Sequence, residues 1–117
     1  MNTRSSIMIR ERLLEDLKIA MRNNDIIKKN TIQLIRASIL NAEKDAGEVL
    51  TENKVEEILL KERKKREDAL AQFQVVARTD LIEQTQREIV CIETYLPKQL
   101  SSEELIIIIF HNMSFSL

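Results

Sequence analysis

One glycine and one proline in 117 residues leave the chain almost no turn vocabulary. Strand architectures need frequent turns, so this scarcity favours long helices with few breaks, punctuated only at Gly47 and Pro97. Tryptophan is absent, and three Phe with one Tyr offer few platforms on which single-stranded nucleic acid stacks. A lone cysteine, Cys91, excludes an internal disulfide and a multi-thiolate metal site, and it fits a reducing compartment. Neither sign of charge dominates. Eighteen Lys and Arg stand against 19 Asp and Glu, a net charge of −1 that gives no global attraction to nucleic acid or an anionic membrane. No apolar run approaches the roughly 20 residues of a membrane-spanning helix. The expectation is a soluble, cytoplasmic protein with no membrane partner and no cofactor. The opening MNTRSSIMIRERLL, free of acids before Glu11, carries the alternative of organelle targeting.

Apolar residues make up 44% of the chain and charged residues 32%, a balance that suits amphipathic helices around an aliphatic core. Ile9, Leu13, Leu17, Ala20 and Met21 recur at helical steps. Asn23, Asn24 and Asp25 then supply a turn, because short polar side chains compete for their own backbone. A second helix is predicted from Ile26 to Ala46. Its stripe of Ile27, Thr31, Leu34, Ile35, Ser38 and Ala42, widened by Ile32 and Ile39, implies several neighbours. Gly47 ends it, and Thr51 is placed to cap a third helix over 52–76. That helix is long and heavily charged. Val55, Ile58 and Leu59 make one apolar patch; Ala69, Leu70, Phe73 and Val76 make another. A fourth helix follows Arg78 to Asp80, with Thr79 as its N-cap, and carries Leu81, Ile82, Thr85, Ile89, Ile92 and Leu96 to Pro97. Ser101 and Glu104 form a capping-box pattern for a fifth helix, but Leu105 to Phe110 is unbroken apolar sequence with no polar face. The fold class is therefore all-α: a bundle of four helices with one long charged helix, plus an aborted fifth. Residues 1–100 read as one helical domain and 101–117 as the start of a truncated or divergent tail.

Lys61 to Asp68, KERKKRED, invites a phosphate-binding reading. Spacing alone favours a solvated helix, because Lys61 and Lys65 share one bearing while Glu62, Glu67 and Asp68 offset the charge. Glu62 and Arg66 form an i, i+4 pair on the bearing of the apolar patches. Three explanations stand: the helix projects beyond the core, the pair is buried, or a partner docks there. Projection is the simplest, and burial would call for further partners such as Glu43 or Arg36. A Cys91–His111 dyad has no positional support, the acids lack the convergence of a metal site, and no Gly-rich loop cradles a nucleotide. The apolar run at 105–110 reads either as a membrane-touching or partner-binding segment or as a truncated or altered reading frame.

Three stretches carry a family resemblance: TIQLIRASILNAEKD from Thr31, LTENKVEEILLKERKKREDALAQF from Leu50, and ETYLPKQLSSEEL from Glu93. They resemble the YqeY family, relatives of the C-terminal helical and tail region of the GatB subunit of the tRNA-dependent amidotransferase; ARTDL at Ala77 is similar to the family's turn into the next helix. The resemblance covers about Ile9 to Leu105 and fails beyond it. It implies an N-terminal helical domain and an accessory, noncatalytic role tied to tRNA or an amidotransferase-like complex. Arg36, Lys61, Glu62, Lys64, Lys65 and Arg66 are then the candidate contacts, with no catalytic or metal-binding residue. Two alternatives remain: a protein-interaction module without RNA binding, and a component of glutamine-dependent carbon–nitrogen ligase activity.

Overall fold

The computed structural model describes the backbone of residues 2–97 and the side chains of 9–97. Four helices are present there: α1 (Asn2–Arg22), α2 (Ile26–Ala46), α3 (Glu52–Val75) and α4 (Thr79–Glu93). The expected fifth helix and the tail from residue 101 lie outside the described residues, as do the 105–110 run and His111.

Local chemistry sets each boundary. Asp25 caps α2 by accepting from the Lys28 N–H, and Thr51 caps α3 by accepting from the Lys54 N–H. Three helices end on a left-handed residue: Asn24 (φ 56°), Gly47 (φ 70°) and Ala77 (φ 56°). After α1, the Asp25 N–H reaches the Ala20 carbonyl; after α3, the Arg78 N–H reaches the Phe73 carbonyl. Both are Schellman closures that satisfy the last carbonyls of a helix. The fourth helix stops before Pro97 as expected, but it departs from expectation at its start and in leaving Leu96 beyond its end. Its N-cap is Arg78 rather than Thr79, without a side-chain bond, and it stops at Glu93 with a turn leading to Pro97.

The helices pair as two antiparallel hairpins. In the first, Arg10 of α1 pairs with Glu43 of α2; in the second, Arg63 and Arg66 of α3 pair with Glu93 and Glu88 of α4. As its wide apolar arc implies, α2 touches all three other helices. Between the hairpins lies an aliphatic core of Ile9, Leu13, Leu17, Ile32, Ile35, Ile39, Val55, Leu59 and Ile92, closed by Cys91, Tyr95 and Leu96. Complete burial of an aliphatic side chain contributes about 1.5–3 kcal/mol. The stripe readings hold for most positions, but Met21, Leu34 and Val76 are exposed. Beyond Glu62 no α3 residue is buried, and Leu70 and Phe73 are only half-covered.

Tyr95 fastens the end of α4 to α1. Its hydroxyl donates to the Asp16 carboxylate, Arg12 lies 5.0 Å over its ring, and the Arg12 guanidinium donates to the Thr94 carbonyl at 2.8 Å. Burial and the Asp16 charge both push the phenol's pKa well above its usual range.

Candidate binding surfaces

Within the charged middle of α3, Glu62 and Arg66 face inward while Lys61, Lys64 and Lys65 stay exposed, which corrects the expectation that the Glu62–Arg66 pair projects beyond the core. Glu62 is 6% exposed. Arg66 Nη1 donates to its carboxylate at 3.3 Å and to its backbone carbonyl at 3.0 Å, and Lys65 Nζ adds a contact at 3.1 Å. Arg66 Nε meanwhile donates to Glu88 Oε1 at 3.0 Å, and Gln84 donates to the other Glu88 oxygen at 3.0 Å. The burial partner is thus Glu88 of α4. Glu43 and Arg36, the partners named from sequence, are engaged elsewhere or distant from this seam. Glu43 accepts from Arg10 and from the Leu50 N–H, and the Arg10 contact holds its carboxyl below the ordinary range.

Lys64 is likewise paired, 2.9 Å from Asp68, and Lys65 leans on Glu62. Only Lys61 of the KERKKRED lysines is exposed with no ion pair among the described residues. The segment therefore forms a largely self-neutralised surface. The structure groups Lys61, Lys64 and Lys65 on α3 but sets Arg36 apart on α2.

Arg36 belongs to a different feature, a groove along the outer face of the α1–α2 hairpin. The groove has a volume of about 480 Å³ and is lined by Arg10, Glu11, Leu14, Arg36, Leu40 and Glu43, among others. Toward the turn a separate, smaller hollow of about 130 Å³ is lined by Met21, Asn24, Asp25, Ile26 and Lys29, among others. On α2 the residues 26, 29, 33, 36, 40 and 43 follow helical steps past both hollows, whereas on α1 the buried core residue Leu17 lies between Leu14 and Met21 and separates them. Large aliphatics stay open to water there: Leu14 41%, Met21 55%, Leu40 59% and Ile26 62%. Lys29 and Arg36 stand among them and make no ion pair among the described residues.

Sequence reading missed Leu14, Ile26, Lys29 and Leu40. The available signal was the second stripe of α2, in which lysine and arginine alternate with aliphatics and so mimic an ordinary solvated face.

Cys91 is buried, with its thiol pushed up by that burial, which disfavours the thiolate that nucleophilic chemistry needs. Among the described residues no group of three or more His, Cys, Asp or Glu is arranged to hold a metal ion. No helix there is long and apolar enough to cross a membrane.

The helical hairpins carry the motifs of TIQLIRASILNAEKD and KERKKRED, and a sequence comparison decides their ancestry: the model of the Yqey-like protein family matches residues 10–114. The chain belongs to the YqeY family. The match runs past Leu105, so the family likeness does not stop where the quoted motifs do. Among curated proteins, the chain is 33% identical over 84 residues to "Altered inheritance of mitochondria protein 41, mitochondrial" of Pyrenophora tritici-repentis, covering 72% of this chain and 46% of that one. The protein of the same name in Candida glabrata is 37% identical over 86 residues, covering 72% and 47%. An uncharacterised protein of Schizosaccharomyces pombe is 32% identical over 95 residues, covering 81% and 74%. The chain thus spans about half the length of the two mitochondrial relatives.

Proposed function

We propose that this YqeY-family chain is a noncatalytic accessory module that joins an amidotransferase-like protein complex through a protein–protein contact. The observation that carries this reading is the contrast between the two hairpins. The cations of α3 are mostly held by carboxylates of the same hairpin, whereas the α1–α2 hairpin presents aliphatics beside Lys29, Arg36, Glu11 and Asp25, charges of both signs with no ion pair among the described residues. Phosphate recognition draws on cations available to release counterions, and the α3 segment offers few. A protein partner uses apolar anchors rimmed by charge, which α1–α2 supplies. The likeness to the GatB tail supports the amidotransferase-like setting, where glutamine-dependent carbon–nitrogen bond formation belongs to other subunits.

The test is recovery of amidotransferase subunits on tagged full-length chain, with and without nuclease. Recovery that survives nuclease supports the protein contact. Recovery abolished by nuclease supports the tRNA reading in its place, and glutamine-dependent turnover by the purified chain alone overturns the noncatalytic one.

The organellar location named for two relatives fits the acid-free, Arg- and Ser-bearing first ten residues, and it favours mitochondria over the cytoplasm. A fluorescent fusion at the C-terminus that stays diffuse in the cytoplasm would refute it.

A further inference from the structure

We propose that the distal end of the α3–α4 hairpin, about Ala69 to Glu83, is a separately opening unit. It unfolds and recloses while the rest of the bundle stays formed, and the Glu62–Arg66–Glu88 network is its inner boundary. The proposal stands apart from the accessory reading above.

Burial locates the boundary. On α3 the buried residues are Val55, Leu59 and Glu62, and none follows through Val75; on α4 they are Thr85, Cys91 and Ile92, and none precedes Thr85. Leu70, Phe73, Leu81 and Ile82 lie beyond these limits and are only half-covered, while Val75 and Val76 are exposed. The half-covered side chains that pack against the core cluster are Leu50 and Ile58, at the other end of α3. Toward α2, the start of α4 faces a hollow of about 560 Å³ lined by Ile27, Lys28, Glu83 and Arg87, among others.

Local interactions do little to hold this end. It contains about two turns of each helix, and helices that short are not stable in water without an apolar face to bury. Its turn carries Ala77 in the left-handed region, and α4 begins at Arg78 without a side-chain cap. The Arg78–Asp80 pair is exposed and contributes little. At the inner boundary, by contrast, Arg66 bonds Glu62 and Glu88 together and ties α3 to α4. A segment with few buried apolar contacts, joined to a well-buried core, opens at a lower free energy than the whole fold. The two short arms lean on each other, so their amides lose protection together.

The experiment is native-state hydrogen exchange of the isotope-labelled full-length chain, followed by NMR without urea and at low urea. The amides of Gln72, Phe73, Gln74, Val75, Ile82 and Glu83 should share one level of protection, at least about tenfold below that of Ile35, Leu59 and Ile92. Their urea dependence should be shallower than that of the core amides but not zero, because opening exposes part of the surface that global unfolding exposes. Ile39→Val, a mild change in the core, should lower core protection by about three- to tenfold and leave these six amides within twofold, since the core stays formed when the end opens. Ala77→Gly relieves the turn and should raise their protection about two- to fivefold. Protection equal to that of the core, or falling with it in Ile39→Val, would show that the hairpin opens only with the whole fold and would overturn the proposal. So would protection that declines residue by residue toward Ala77 without urea dependence, which is fraying, or protection unmoved by Ala77→Gly.

Discussion

Replacing Arg66 with Met tests whether the α3–α4 seam is a structural ion-pair network. The substitution leaves Glu62, 6% exposed, with only the outward-reaching Lys65, whose side chain is 74% exposed. It also removes the cation shared by Glu62 and Glu88. Breaking a buried pair from one side costs about 3–5 kcal/mol because the other charge stays buried. Lys65 remains and the Glu88 side chain is 20% exposed, so part of that cost is relieved, and about 2–3 kcal/mol is expected. At about 4–8 °C per kcal/mol for a domain of this size, Tm falls by roughly 10–20 °C.

The complementary change is far milder. Glu62→Leu keeps the Arg66–Glu88 contact and places an aliphatic beside the core, so it should cost less than about 1 kcal/mol. In Glu62→Leu/Arg66→Met the buried carboxylate is gone along with its partner, and the double variant should recover at least about 1.5 kcal/mol relative to additivity. Urea unfolding of the four proteins gives the cycle directly. A cost below about 0.5 kcal/mol for Arg66→Met, the level of an ordinary surface change, or strict additivity in the cycle, would refute the buried network.

Backbone conformation yields a pair of opposite predictions. Ala77 sits at φ 56°, where a side chain is strained, so Ala77→Gly should stabilise by about 0.5–1 kcal/mol. Gly47→Ala at φ 70° meets no neighbouring atom and should cost about 1 kcal/mol from backbone strain alone. Thermal melts that shift in the same direction for both would contradict this. Glu43 is held below its ordinary value of 4.5 by Arg10, so its contribution is complete above that pH and is lost as pH falls through the lowered folded value; Glu43→Gln should flatten the acid limb of stability against pH. Tyr95 has the opposite sense. Its phenol stays protonated in the fold, so its contribution is complete below its ordinary value of 10.0 and fades as pH rises above it. The stability gap between the native chain and Tyr95→Phe should narrow over that range, and a constant gap in alkaline urea melts would refute the assignment.

The features legible in sequence are those governed by neighbouring residues. Asp25, Gly47 and Thr51 punctuate the chain by their own side-chain or backbone chemistry, so the bounds of α2 and the start of α3 are readable from them. Val55 and Leu59 lie on a strong local period, and both are fully buried. Glu62 and Arg66 were legible as a pair in the wrong company. Their bearing toward the core is a local property, but Glu88, 22 residues from Arg66 in sequence, turns a projecting pair into an interior network. Ala77 gives no signal in its own residue chemistry, because alanine is a strong helix former and its left-handed geometry comes from the Schellman closure around it; only the likeness of ARTDL to the family's turn marks the place. The groove escapes for another reason: a stripe such as Ile26, Lys29, Gln33, Arg36 and Leu40 looks solvated until a second helix places Leu14 and Met21 alongside.

This division between an ion-paired hairpin and an open one governs how charge variants should be interpreted. Lys65→Glu sets a carboxylate beside Glu62 and removes that residue's second cation, so a loss of RNA affinity in a variant containing it reports folding as much as binding. Lys61 and Lys64 have exposed ammonium groups away from the buried carboxylate, and Lys64 gives up only an exposed pair with Asp68 whose contribution is small. Lys61→Glu/Lys64→Glu therefore separates the two effects. An unchanged Tm with unchanged tRNA affinity and salt slope removes the tRNA role of this segment. An unchanged Tm with a flattened salt slope establishes it and leaves the α1–α2 groove to a protein partner.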